Sequence, residues 1–284
     1  MPLISILGTK QKIAALLNSA GIEEPMREAS YILSAALGQS RAQLMALDEI
    51  DVVETMPGII DNMARRRASR EPLARILGRK EFWGMEFGLN DHTLVPRPDT
   101  ETLVSAVLET LPDKNKDYRI LDLGTGTGCI LLALLSELPS AQGIGADLAP
   151  EAVQQAMANA ATLKLADRAT FIESDWFDKV EGKFDIIVSN PPYIGEGEIF
   201  ALQPEVRKHD PHLALFAGLD SMSAYQLIIP AALARLNPGG LLALEFGQGQ
   251  AEAVGQIVAA QGDFSVDFKD DLGGITRVIL TQPR

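Results

Sequence analysis

Four consecutive residues combine groups that could hold a planar amine: Asn190, Pro191, Pro192 and Tyr193. They follow an apolar run at 184–189, which is typical of a buried strand with a polar tip. The Asn190 amide can hydrogen-bond an NH2 group, the prolines fix the backbone, and the Tyr193 ring can stack on a flat substrate. Ligands of open α/β sheets bind beyond such strand ends, so we predict recognition of an amine on a planar carbon system. The alternative is a proline-rich turn.

A glycine-rich loop lies upstream and ends the first strand of the same region. Its residues are Asp122, Gly124, Thr125, Gly126, Thr127 and Gly128. Glycines let a ligand approach the backbone, and N–H groups at the start of the next helix face that ligand. A dinucleotide fingerprint would need glycine in place of Cys129, and a phosphate loop would need a lysine. The loop instead favours a ligand with a carboxylate and an ammonium group, which Asp122 could influence.

Two more strand ends carry acidic residues. Asp147 ends the second strand, 19 residues after Gly128, where a carboxylate can accept hydrogen bonds from ribose hydroxyls. Asp175 and Trp176 follow the third strand and could flank an adenine. Taken singly, Asp147 could cap a helix, and Asp175 could be a loop acid beside a packed indole. The order of these features along the chain, with Asn190 last, predicts S-adenosylmethionine as the cofactor.

An alternation of strands and helices from residue 118 would position these residues. It predicts a mostly parallel, seven-stranded sheet with helices on both faces, the Rossmann-like fold of class I methyltransferases. The expected strands are 119–123, 142–147, 169–173, 184–189, 240–246, 264–268 and 276–280, and the expected helices are 129–138, 149–163, 223–235 and 250–260. The last two strands have no helix between them and should form an antiparallel hairpin at the sheet edge.

The residues before 118 predict two further parts of the structure, a helical bundle and a β-hairpin. Residues 1–78 show helical spacing of apolar residues, and the expected helices are 9–20, 25–37, 41–47 and 53–69. The alternating pattern at 81–95 predicts a β-hairpin, after which prolines and acidic residues open a helix. We therefore expect a helical bundle at 1–78, a hairpin linker at 79–96 and a methyltransferase domain at 97–284.

Composition excludes several classes of protein. No apolar stretch approaches the roughly 18–20 residues of a membrane span, and the first residues lack the pattern of a signal peptide. A single cysteine, Cys129, excludes an intrachain disulfide, and we expect its side chain to be packed. His209 and His212 flank Asp210 and could bind a metal ion, but the sequence shows no further ligand to complete such a site. We therefore expect no metal site. We expect a cytoplasmic monomer without membrane association.

Charge is unevenly distributed along the chain. The net charge of −13 divides into +2 for residues 1–80 and −15 for residues 81–284. The acidic part would repel phosphate backbones, so we expect no stable nucleic-acid binding, and it is compatible with a basic protein partner or with solubility alone. We interpret the basic cluster, Arg65–Lys80, as a solvated helix face on which the aliphatic parts of the long basic side chains cover apolar surface. The alternative is a docking surface for an acidic partner or RNA.

Several motifs together resemble one enzyme family, the release-factor glutamine methyltransferases of the HemK/PrmC group. The resemblance spans nearly the whole chain. The matching segments are Glu71–Leu73, Gly78, Glu81–Gly84, Val95–Glu101, Asp122–Gly128, Ser174–Phe177 and Ser189–Tyr193. Residues 217–223 depart from the more glycine-rich stretch that is typical of the family.

The resemblance implies a reaction and a partner. Such an enzyme transfers a methyl group from S-adenosylmethionine to the side-chain nitrogen of the glutamine in the Gly-Gly-Gln motif of class-1 peptide chain release factors. Asn190 and the Pro191 carbonyl would accept the two amide N–H bonds, Tyr193 would stack on the amide, and Arg97 and Glu101 would assist in substrate binding. The alternative for the Pro98–Glu101 segment is a simple helix start. The bundle would dock a second part of the substrate.

Two other functions remain open at this point. An N6-adenine methyltransferase could use the same Asn190 chemistry on a flipped base, although the acidic charge counts against it. A non-catalytic interaction protein could retain the cofactor pocket, although the intact glycine loop, Asp147 and Asn190 count against that.

Overall fold

Two units divide the chain: Met1–Gly78 with Gln203–His209, and Arg79–Leu202 with Asp210–Arg284. The computed structural model describes residues 2–216, 218 and 220–284. Ala217 and Leu219, which belong to the stretch that departs from the family pattern, lie outside the described residues. Within the described residues, no helix is both long and apolar enough to cross a membrane.

The first unit is a helical bundle with a small sheet. In chain order its elements are β1 (Leu3–Ser5), α1 (Ile6–Ser19), α2 (Pro25–Leu37), α3 (Arg41–Met45), β2 (Glu49–Asp51), α4 (Met56–Ala68) and α5 (Leu73–Leu77). Its core is apolar and includes Leu17, Ile32, Leu33 and Ile60. The Ser5 hydroxyl accepts a hydrogen bond from the Gly8 N–H at 3.2 Å, and it caps the start of α1.

The prediction that this region is entirely helical is wrong at two short segments. β1 and β2 pair in antiparallel fashion, with Ile4 opposite Ile50. Each strand has three residues, too few for an alternating pattern to stand out from the helical spacing around it. Helix α5 was also missed, because its five residues follow Pro72 and show barely one turn of periodicity.

The basic cluster is not a solvated face throughout. Arg67 is 7% exposed, and its guanidinium lies 2.5 Å from the Glu28 carboxylate and 3.4 Å from that of Glu205. Arg70 also pairs with Glu205, at 2.9 Å. The prediction failed because Glu28 and Glu205 are distant in sequence, and only folding brings these acids to the arginines.

The second unit contains the remaining elements, apart from α9. A hairpin comes first, formed by β3 (Arg79–Phe82) and β4 (Met85–Gly88). The other helices are α6 (Glu101–Thr110), α7 (Cys129–Glu137), α8 (Pro150–Thr162), α9 (Pro204–His209, in the first unit), α10 (His212–Leu215), α11 (Ser223–Leu233) and α12 (Ala251–Ala259). The other strands are β5 (Arg119–Leu123), β6 (Gln142–Asp147), β7 (Ala169–Glu173), β8 (Phe184–Ser189), β9 (Leu236–Glu245), β10 (Phe264–Asp270) and β11 (Thr276–Pro283).

The sheet confirms the predicted fold class. Its seven strands lie in the order β10-β11-β9-β8-β5-β6-β7. Strands β5 to β9 run parallel, and β10 and β11 form the antiparallel hairpin at one edge. The main differences from prediction are a longer β9 and the short helices α9 and α10, whose few residues carry little periodic signal.

Helices cover both faces of this sheet, as parallel strands require. One apolar layer includes Leu103 of α6 and Leu131 of α7, and the opposite layer includes Ile228 of α11 and Val254 of α12. Because the parallel strands point the same way, their carboxyl ends meet at one edge of the sheet. The predicted site residues follow those ends.

Candidate active site

A cavity of about 180 Å³ lies at the carboxyl ends of β5, β6, β7 and β8. Ten of the predicted site residues line it: Arg97, Gly124, Thr125, Gly126, Thr127, Asp147, Asp175, Trp176, Asn190 and Pro192. Of the residues that the structure describes, five other predicted ones do not line it: Glu101, Asp122, Gly128, Pro191 and Tyr193. The fold therefore gathers the glycine loop, the acidic strand ends and the Asn190 amide around one space.

The glycine loop has a backbone that other residues would strain. Gly126 and Gly128 have φ values of +56° and +78°, in the left-handed region. A Cβ on Gly128 would lie 3.2 Å from the Phe171 ring and 3.3 Å from Ala156 and Leu132. Glycine is thus required at position 128 both for its conformation and for the packing of α7 and α8 against the sheet. Most N–H groups of the loop bond within the protein: those of Gly124 and Thr125 donate to the Ala146 carbonyl at 2.8 and 3.0 Å, and that of Gly128 donates to the Thr125 carbonyl at 2.8 Å.

Asp147 is fixed by the loop itself. Its carboxylate accepts hydrogen bonds from the Gly126 N–H at 2.8 Å and from the Ala149 N–H at 3.0 Å. Burial raises the pKa of this carboxyl, and the backbone hydrogen bonds offset part of that effect. Each carboxylate oxygen has a second lone pair, so Asp147 retains acceptor capacity toward the cavity that it lines. The residue thus both orders the loop and can accept hydrogen bonds from a ligand.

Asp122 is turned into the protein. The residue is fully buried, and its Oδ2 accepts the Thr125 hydroxyl at 2.6 Å. Among the described residues, its Oδ1 has no hydrogen-bond partner. Burial raises the pKa of Asp122 to about 7, and the Thr125 hydrogen bond offsets part of this rise. Asp122 therefore acts on the cavity through Thr125, which lines it.

Trp176 occupies the far wall of the cavity in an unusual conformation. Its φ of +43° is left-handed, which is costly for a bulky residue. Its carbonyl accepts the Ser174 hydroxyl at 3.1 Å, and its side chain packs against the core layer of α11 and α12. Strained backbone that the surroundings hold in place is common at ligand sites. The indole and the neighbouring Asp175 both line the cavity.

The Asn190 amide is oriented by a threonine. Its Nδ2 donates to the Thr100 hydroxyl oxygen at 3.2 Å, and Thr100 is 3% exposed. The amide oxygen therefore points away from Thr100, and Asn190 and Thr100 both line the cavity. Tyr193 is half-buried, with its ring 3.0 Å from the position of a Cβ on Gly247 and its carbonyl bonded by Gln250 at 2.9 Å.

Arg97 and Glu101 have different surroundings. Arg97 lines the cavity, and its guanidinium lies 2.5 Å from the buried Asp210 carboxylate. The Glu101 carboxylate accepts the Trp83 N–H at 2.7 Å, which ties α6 to the turn of the hairpin. In this structure Arg97 is thus placed to meet a ligand directly, whereas Glu101 holds the hairpin.

Thr100 and Asp210 were missed by sequence reasoning. Thr100 stands inside the Val95–Glu101 segment but has an unremarkable side chain, and Asp210 was considered only as a metal ligand. Among the described residues, no cluster of His, Cys, Asp and Glu could hold a metal ion. Cys129 is buried, and burial raises the pKa of its thiol to about 12.

Known proteins are similar in sequence to this chain along nearly its whole length. A PrmC N-terminal domain model matches residues 10–78, and a methyltransferase small domain model matches residues 99–205. A release factor glutamine methyltransferase of Bradyrhizobium diazoefficiens is 47% identical, over 97% of this chain and 94% of its own. That of Rhodospirillum rubrum is 45% identical, over 94% and 82%.

Solved structures share the fold. A methyltransferase from Pyrococcus furiosus has a TM-score of 0.51 at 17% identity, covering 78% of this chain and 98% of its own. The hMettl16 catalytic domain has a TM-score of 0.59 at 16% identity, covering 78% and 82%. The fold is thus that of methyltransferases, and the identity to the bacterial relatives is far above what shared fold alone produces. The chain belongs to the release factor glutamine methyltransferase family.

Proposed function

We propose that this protein transfers a methyl group from S-adenosylmethionine to the side-chain nitrogen of a glutamine in a release factor. The substrate is the glutamine of the Gly-Gly-Gln motif of class-1 factors. The observation that carries the proposal is the Asn190 amide, which shares one cavity with the glycine loop and Asp147. Membership in the family supports the substrate, because the relatives are named for it.

The cavity residues fit the cofactor. The Asp147 carboxylate retains acceptor capacity for two ribose hydroxyls, and Asp175 and Trp176 supply an acid and a flat ring for the adenine. Backbone N–H groups at the start of α7 suit the carboxylate of an amino acid, and Asp122, which bonds to the cavity-lining Thr125, is near enough to influence its ammonium group. When bound, S-adenosylmethionine supplies an electrophilic methyl group on a sulfonium, so the chain needs no covalent nucleophile.

The other half of the cavity orients the substrate amide. An amide nitrogen is a weak nucleophile because its lone pair is delocalised into the carbonyl. The Asn190 oxygen and the Pro191 carbonyl accept the two N–H bonds, which aims the nitrogen at the methyl group. As the nitrogen–methyl bond would form and the sulfur–methyl bond would break, these two dipoles would stabilise the positive charge on the nitrogen, and one N–H proton would then be released to solvent. Tyr193 stacks on the amide, Arg97 contacts the peptide beside it, and Glu101 supports the segment that carries Arg97.

The proposed partner is a protein rather than a nucleic acid. The net charge of −15 over residues 81–284 disfavours phosphate backbones and suits a basic protein surface. The first unit, a separate bundle, docks a second part of the release factor. The protein acts as a cytoplasmic monomer.

Label transfer tests this function. The protein is incubated with methyl-labelled S-adenosylmethionine and, in separate reactions, with release factor, DNA and ribosomal RNA. We expect label on the release factor only, and none on a factor whose motif glutamine is replaced by alanine. Label on nucleic acid would instead favour an adenine methyltransferase. Cofactor binding without any transfer would favour an interaction protein.

A further inference from the structure

Glu245, the last residue of β9, is a buried carboxylate beside Asn190. The last paired residues of β8 and β9 are Ser189 and Leu244, so the next residues along the two segments are Asn190, which follows β8, and Glu245, which ends β9. Glu245 is 3% exposed. Its Oε2 has no hydrogen-bond partner among the described residues. A buried carboxylate with an open oxygen is costly, and it therefore requires an explanation.

Several groups act on this carboxyl. Burial raises the pKa of Glu245 to about 7, hydrogen bonds from Thr100 and Asn190 and the charge of Arg277 lower it, and the charge of Asp99 raises it. Burial raises the pKa of three neighbouring groups, Cys129, Tyr193 and Tyr225, and the negative charge of Glu245 adds to each rise. The Tyr225 hydroxyl donates to the backbone carbonyl of Glu245 at 2.9 Å. The groups that interact electrostatically with Glu245 therefore lie just after β8, on β11, on α7, on α11 and in the 3-10 turn at Pro98–Thr100.

Thr100 connects Glu245 to the site. A hydroxyl has one hydrogen to donate, and an ionised carboxylate can only accept. The Thr100 hydroxyl is near enough to Glu245 to lower the pKa of that carboxyl. When Glu245 is ionised, Thr100 can donate its hydrogen to it and can then only accept from Asn190, in the direction of the bond observed at 3.2 Å. The Asn190 NH2 group must then face Thr100. Its oxygen must face the other way, toward the space where a substrate N–H would lie.

We propose that Glu245 is a positioning residue which, through the Thr100 hydroxyl, fixes the Asn190 amide with its oxygen toward the substrate. The inference rests on the proposed function, because it takes a substrate N–H as the group that this oxygen accepts. A neutral Glu245 can itself donate to Thr100. The Thr100 hydrogen is then free to go to the Asn190 oxygen, and the orientation of the amide is no longer enforced.

Kinetics of three variants test the proposal. In Glu245→Gln and Thr100→Val the Asn190 amide should no longer be held in one orientation. The kcat for release-factor methylation should then fall roughly ten- to a hundredfold, while the KM for S-adenosylmethionine should stay unchanged. The wild-type kcat should rise with pH through about 7, the pKa of Glu245, and this rise should be absent in Glu245→Gln. Thr100→Ser keeps the hydroxyl and should recover most of the rate lost in Thr100→Val. Glu252→Gln alters an exposed carboxylate of α12 and should retain the wild-type rate and profile.

Nuclear magnetic resonance tests the orientation without any substrate. The Asn190 side-chain NH2 resonance, identified by its loss in Asn190→Asp, should shift with pH through about 7 in the wild type and stay constant in Glu245→Gln. If this shift persists in Glu245→Gln, or if that variant keeps the wild-type kcat and pH profile, the positioning role is wrong. Failure of the proposed function has a different signature, since the wild type would then not methylate release factor while the resonance still reports the orientation.

Discussion

The two halves of the cavity are formed by different chemical groups, one mainly by backbone and the other by side chains. The half at β5 and β6 consists of backbone: glycines with left-handed φ, N–H groups, and the Asp147 carboxylate that those N–H groups hold. The half at β8 consists of side chains, in which Thr100 orients Asn190, and the buried Glu245 at the end of β9 lies beside them outside the cavity lining. The first half suits a constant ligand, the cofactor. The second suits discrimination, because its chemistry depends on which amide, hydroxyl or carboxylate is present.

The largest effect should come from the side-chain half. Asn190→Ala removes one of the two proposed acceptors for the substrate N–H, and we expect kcat to fall on the order of 10²–10³-fold. The affinity for S-adenosylmethionine, measured by calorimetry, should stay near the wild-type value because the backbone half is intact. A variant that methylates release factor at the wild-type rate would remove Asn190 from the mechanism.

The next effect should come from the backbone half. Asp147→Ala removes the proposed ribose acceptor and the partner of the Gly126 N–H. We expect the affinity for S-adenosylmethionine to fall roughly ten- to a hundredfold, as for loss of a hydrogen bond to a charged group. Glu173→Ala, at the end of the neighbouring strand β7 and exposed, serves as the control. Unchanged affinity by calorimetry would contradict the ribose role.

Beside each half of the cavity lies one buried carboxylate, Asp122 or Glu245, that should make stability depend on pH. Burial raises the pKa of Asp122 and of Glu245 to about 7, from ordinary values of 3.8 and 4.5. Between about pH 4 and pH 7 the folded state therefore binds more protons than the unfolded state, and this contribution to the free energy of unfolding falls as pH rises.

Comparison with the neutral variants isolates these contributions. Relative to Asp122→Asn or Glu245→Gln, the wild type should lose stability as pH rises through that window, on the order of 1–3 kcal/mol for each group. Urea unfolding across the window measures the difference. A difference between wild type and variant that is constant with pH would show that the carboxyl is not titrating there.

The smallest effect should come from a single methyl group in the glycine loop. Gly128→Ala forces a left-handed φ on a residue with a Cβ, and we expect the free energy of unfolding to fall by about 1–2 kcal/mol. Gly58→Ala is the matched control, because Gly58 lies within α4 with open space around it. This substitution should raise the free energy of unfolding by about 0.5–1 kcal/mol. Equal effects of the two substitutions in urea unfolding would contradict the role given to the loop backbone.

The difference between local sequence patterns and contacts between distant segments explains which features the sequence could predict. Long elements with clear periodicity, such as β5 to β8, α7 and α8, were predicted within a residue of their bounds. The glycine loop and Asn190 were predicted from their motifs at the ends of predicted strands, and the structure places both at one cavity. Thr100, Asp210, Glu245 and the Arg67 ion pairs were not, because each acquires its partner from a distant segment. Local spacing contains no information about such contacts.

The site of the transferred methyl group tests the account most directly. Release factor treated with the protein and S-adenosylmethionine is digested, and the peptide with the Gly-Gly-Gln motif is fragmented in a mass spectrometer. We expect one added methyl group on the glutamine side-chain nitrogen in the wild type and almost none in Asn190→Ala. A methyl group on another residue, or equal modification by Asn190→Ala, would contradict the claim that this amide orients a glutamine nitrogen.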